Sequence, residues 1–175
     1  MRYIALLRGI NVGGNTMIKM TELKSSFETL GFKNVVSYIN SGNLAFDSGK
    51  VAEEKLVSKI EAAIKKDFGL DIQVMVRDQA TIESVLANNP FDGEYETHKQ
   101  MHVLFMKGEM PKDKQALLKA AETDDEKFAI IGREIFALLK GGVANSLLGK
   151  GFIEKKLKVP ITCRNWRTVE KLAEL

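Results

Sequence analysis

Arg8, Gly9, Asn11, Gly13 and Gly14 fall within one seven-residue stretch, RGINVGG. A guanidinium, a carboxamide and glycine N–H groups in one bend are suited to holding a phosphate or carboxylate. A second polar stretch, Asn40-Ser-Gly-Asn43, adds amides and the Ser41 hydroxyl, with Asn43 at its end. A third, Thr162-Cys-Arg-Asn165, adds another guanidinium, Arg164, and another amide, Asn165. None is a known nucleotide signature. RGINVGG departs from G-x-G-x-x-G, and no Gly-Lys-Ser/Thr follows it. Bland readings stand beside these: glycines that turn the chain, amides that close their own turns, and Thr162 or Asn165 as a helix N-cap.

Topology decides whether these stretches meet. Tyr3 to Leu7 is apolar on both faces, which marks a central strand covered on both sides. Met20, Leu23, Phe27 and Leu30 recur at helical spacing, and Gly31 with Phe32 suits a left-handed cap. Asn34–Ile39 and Leu44–Phe46 form a hairpin about the NSGN turn. Ser48 is placed to cap a helix carrying Leu56, Ile60 and Ile64, which ends at Gly69. Ile72 to Val76 is a strand, and Asp78 caps a helix that stops before Pro90. The order β-α-β-β-α-β is the ferredoxin-like, split βαβ arrangement.

The second half starts alike. His102–Met106 is a strand, Pro111 opens a helix with Leu117 and Leu118, and Lys127–Ile131 and Glu134–Leu139 are strands about Gly132-Arg133. A helix with Leu147, Leu148, Phe152 and Ile153 and a last helix with Trp166, Val169 and Leu172 follow. The halves share pattern rather than residues. The expected fold is α+β: two ferredoxin-like subdomains with mainly antiparallel sheets, packed into one compact unit. The seam is placed in the aperiodic Tyr95–Gln100 segment, giving subdomains 1–98 and 99–175. In this sheet order the third strand lies between the first and second. RGIN then sits beside NSGN, and Lys107-Gly108 beside Gly132-Arg133.

Composition removes several classes. Hydrophobic residues make up 45% and charged residues 28%, an ordinary balance for a globular protein. A lone cysteine, Cys163, rules out an internal disulfide and fits a reducing cytoplasm. No apolar run is long enough to span a membrane. His98 and His102 are four apart, but on a strand that separates them by roughly 13 Å, so no metal or cofactor is expected. Net charge is +3, yet Lys140 to Arg167 holds seven basic residues against one acid, Glu154. That segment supports nucleic-acid binding as a second reading.

The stretches LLRGINVGG, YINSGN, NPF at Asn89–Phe91 and TCRNWRTVEKL together resemble a bacterial family known as domain of unknown function 1697. The likeness spans nearly the whole chain. It implies an α+β fold of two related subdomains, and no activity, substrate or catalytic residue. The leading expectation is therefore a small anionic ligand held by Arg8, Gly9, Asn11, Gly13, Gly14, Ser41 and Asn43, with Arg164 and Asn165 as further members. A ligand-free structural or interaction module is the third reading. Whether the chain is an enzyme, and how it oligomerises, do not follow from these residues.

Overall fold

A computed structural model describes residues 1–175. The chain divides into two units, Met1–Glu83 with Leu172–Leu175, and Ser84–Lys171. The first contains β1 (Arg2–Leu7), α1 (Met20–Thr29), β2 (Lys33–Tyr38), β3 (Asn43–Asp47), α2 (Glu53–Phe68) and β4 (Val74–Asp78). Helix α3 (Gln79–Ala87) straddles the division. The sheet is antiparallel in the order β2-β3-β1-β4, the ferredoxin-like arrangement read from the sequence. Tyr3, Ala5 and Leu7 meet Phe27, Leu56, Ile60 and Ile64 in one core, where Phe32 stacks on Phe46 at 4.3 Å. Ile4 and Leu6, pointing the other way, are equally buried. The doubly apolar sequence of β1 thus matches a doubly covered strand.

The second unit contains β5 (Met101–Met106), α4 (Lys112–Ala120), β6 (Glu126–Ile131), β7 (Glu134–Leu139) and β8 (Ile161–Asn165). Helix α5 (Trp166–Ala173) follows and crosses the second boundary. Sheet order is β6-β7-β5-β8, again antiparallel and ferredoxin-like. Leu104, Met106, Ile135, Ala137 and Leu139 pack with Leu118, Phe128 and Ile153.

Four expectations change. Ser48 does not cap α2; the helix starts later, behind Ala52, with no side-chain cap. The helix expected over Leu147–Ile153 is instead a run of turns ending in a π-helical turn, Phe152–Lys156. The Gly141-Gly142 and Gly149-Lys-Gly151 pairs explain this, since each glycine costs a helix about 1 kcal/mol. The stretch ITCRN, read as the approach to a helix, is strand β8 and completes the second sheet. Finally, the division falls at Glu83/Ser84 rather than 98/99. The polar segment belongs to the second unit because Tyr95 meets Trp166 edge-on, His98 pairs with Glu170 at 3.1 Å, and Gln100 accepts the Leu139 N–H through its carbonyl. The last residues belong to the first unit, where Arg2 donates to the Leu175 carbonyl and Gln79 to that of Ala173.

Candidate functional site

The first strand does exit beside the hairpin turn. Leu7 N–H donates to the Gly42 carbonyl at 2.8 Å. Space explains the glycine: at φ +82°, a Cβ on Gly42 would come within 2.7 Å of Leu7 Cβ and 3.0 Å of Ile10 Cδ1. Asn11 fastens the two loops further. Its Nδ2 donates to the carbonyls of Asn40 (2.7 Å) and Ile18 (2.9 Å), and its Oδ1 accepts from Ile18 N–H (2.8 Å). Asn43 is fully buried and donates to the Tyr38 carbonyl and Ser41 Oγ. The carboxamides expected to orient a ligand therefore shape the loops that frame it.

What remains outward is backbone and charge. Asn11–Thr16 forms a miniature hairpin: Asn11 N–H donates to Thr16 O, and Asn15 N–H to Val12 O. Its tip, Gly13-Gly14, has φ +61° and +77°, the positive pair a type I′ turn demands. The N–H groups of Gly9, Gly13 and Gly14 donate to no protein acceptor. Arg8 is half-buried at the root, with its Nη1 3.3 Å from Gln73 Oε1 and its own N–H on the Gln73 carbonyl. Gln73 was not singled out from the sequence, because nothing local marks it. Val12, Met17 and Ile39, each next to a residue tied to Asn11, are large apolar side chains left exposed.

The second unit repeats the junction. Met106 N–H donates to the Arg133 carbonyl at 3.0 Å, placing Lys107-Gly108 beside Gly132-Arg133 as expected. Glu134 lies opposite Phe105 as Asn43 lies opposite Leu6, and both polar residues are buried.

Arg164 and Asn165 lie in this second unit, on β8. Arg164 is buried; its Nη1 donates to Thr162 Oγ1 and the Cys163 carbonyl, both at 2.8 Å. Burial lowers its pKa to about 10, which leaves it cationic at neutral pH. Asn165 Oδ1 accepts from Thr168 N–H at 2.9 Å and so caps α5. Burial pushes the Cys163 thiol up to about 12, outweighing its cationic neighbour and leaving it a poor nucleophile. A repeat escaped the sequence reading here. Arg77-Asp78-x-x-Thr81-Ile-Glu83 matches Arg164-Asn165-x-x-Thr168-Val-Glu170. Arg77 is also buried and donates to the preceding carbonyl, Val76 O, at 2.9 Å; Asp78 also caps its helix, through Thr81 N–H. The halves thus share residues at this strand-to-helix junction. The signal was a spaced Arg, Asx, Thr and Glu rather than a run of identities.

The family model described as protein of unknown function (DUF1697) matches residues 1–136. The chain belongs to the DUF1697 family. A conserved bacterial protein, SP0830 from Streptococcus pneumoniae, has a solved structure similar to this DUF1697 chain. The two are 30% identical, with a TM-score of 0.77 over 99% of this chain and 97% of that one. No curated protein matches the DUF1697 chain. No helix of it is long and apolar enough to cross a membrane.

Proposed function

We propose that the first unit binds a small phosphate- or carboxylate-bearing ligand at the RGINVGG/NSGN corner, in the cytoplasm. The observation that carries this reading is the pair of bonds joining bend to turn, Leu7 N–H to Gly42 O and Asn11 Nδ2 to Asn40 O. They hold Arg8 and the donor N–H groups of Gly9, Gly13 and Gly14 on one preorganised rim. Preformed N–H donors beside a guanidinium suit an anion because little ordering remains to be done on binding. The cytoplasmic assignment rests on the single cysteine.

The test is a titration of inorganic phosphate and acetate, read by melting temperature and calorimetry, on the intact chain and on Arg8→Ala. The expected result is a saturable rise in melting temperature that Arg8→Ala abolishes while leaving the ligand-free melting temperature unchanged. A lower melting temperature in Arg8→Ala, with no anion response in either protein, would make Arg8 a structural residue and favour the ligand-free module.

A further inference from the structure

We infer that the second unit carries its own anion site, a cavity of about 200 Å³ walled by three lysines, which takes a small phosphorylated molecule. Lys107, Lys114 and Lys158 line it, with Gly108 and Pro111 between them, and Glu109 is its one carboxylate. Lys107 leaves β5 at the position where Arg8 leaves β1, since Met106 and Leu7 make the equivalent bond to their hairpin turns. The charge imbalance is real at two of the three positions. Neither Lys114 nor Lys158 has a hydrogen-bonding or ion-pairing partner anywhere in the chain. Cations that repel one another around a common depression are stabilised by an anion placed between them.

The wall between the lysines points the same way. Pro111 is the N-cap of α4, no side chain caps this helix, and Lys114 sits in its first turn. The first-turn N–H groups therefore lack side-chain acceptors, and the helix dipole adds positive potential at the cavity. An oxyanion seated there would meet backbone donors from one side and ammonium groups from the others. Lys158 is held at φ +56°, a conformation costly for a side chain of its type. That backbone strain persists at a residue whose side chain the fold does not otherwise use.

The occupant is a small molecule on grounds of shape. Three cations ring one depression, whereas a polynucleotide backbone needs cations strung along a track several phosphates long. A cavity of this size holds a phosphate or pyrophosphate with a few attached atoms.

The experiment titrates pyrophosphate, glycerol 3-phosphate and a duplex oligonucleotide against the full chain by calorimetry, then repeats this with Lys114→Gln, Lys158→Gly and Arg8→Ala. Lys158→Gly removes the charge while relieving the strained φ, so it should melt higher yet bind worse; a folding defect cannot imitate that combination. Each lysine variant should weaken pyrophosphate at least tenfold, and Arg8→Ala should leave this site unchanged. Pyrophosphate affinity that survives both lysine variants overturns the inference. So does the absence of small-phosphate binding at millimolar concentration, and so does affinity confined to the duplex. Loss of binding in Arg8→Ala alone would support the first corner and remove the second.

Discussion

The two strand-exit corners share a backbone and differ in everything attached to it. In both units the last N–H of the first strand donates to a carbonyl in the hairpin turn. Beyond that bond, the first unit inserts residues 8–19 before its helix, and the second only residues 107–111. The long insertion is filled with glycine and folds into a miniature hairpin presenting main-chain donors. The short one has no room for that, and surrounds its helix terminus with lysines instead. The ferredoxin-like sheet fixes where a corner lies; the length of the connection decides whether peptide groups or side chains furnish it.

The comparison breaks most sharply at Gly42 and its counterpart Arg133. Replacing Gly42 by valine forces a branched side chain into Leu7 and Ile10 at a positive φ. The expected loss is about 4 kcal/mol, combining overpacking with left-handed strain. Arg133→Ala keeps the same backbone bond and should stay within about 0.5 kcal/mol in a urea melt.

A second contrast is Tyr3 against His102, which occupy the same register opposite Asp78 and Asn165. The Tyr3 hydroxyl donates to Val51 O and accepts from Val51 N–H. His102 Nδ1 is buried without a partner, and burial lowers the imidazole pKa from 6.5 to about 4. The folded-state pKa is depressed, so between these values the unfolded chain binds the proton and the folded one does not. Stability therefore falls as pH drops from about 6.5 to about 4, by up to about 3 kcal/mol. In His102→Met that part of the acid slope should vanish, as measured by urea melts at pH 7 and pH 4.5.

Asn11 and Met110 form the next pair, each the third residue after its exit position. Asn11→Ala loses three hydrogen bonds at φ +55° and should cost about 2 kcal/mol. If it also weakens phosphate at Arg8, the loops have to be joined for binding; unchanged affinity would show that Arg8 alone suffices. The smallest effects are at the duplicated caps. Asp78→Ala and Asn165→Ala should each cost about 1 kcal/mol in thermal melts. Unequal losses would show that the repeated motif has diverged in energy while keeping its geometry.

The sequence was most informative where one side chain answers to one local constraint. The doubly apolar β1, the Gly31 and Gly69 helix ends, the Asp78 cap and both hairpins followed from period and turn chemistry. The strand order then placed RGIN against NSGN with no contact visible in advance. Strand β8 was missed because ITCRN is short, and its polar Thr162 and Arg164 disguise buried positions. The second site was missed for a different reason. Lys107, Lys114 and Lys158 belong to three separate segments, and no spacing records that a sheet and an uncapped helix gather them. Asn11 and Asn43 illustrate the limit of residue type. An amide in a polar loop reads the same whether it faces outward or stitches the loop, and only the acceptors around it decide.

The close approach at Gly42 also constrains motion. With Leu7 too near for even a methyl group, and Asn11 pinning residues 18 and 40, the strand exit and the hairpin turn behave as a single frame. Only Val12 to Met17 can swing without breaking those links. Any gate at this entrance has one leaf, hinged at Asn11 and Ile18, with the exposed Val12 and Met17 as its handle.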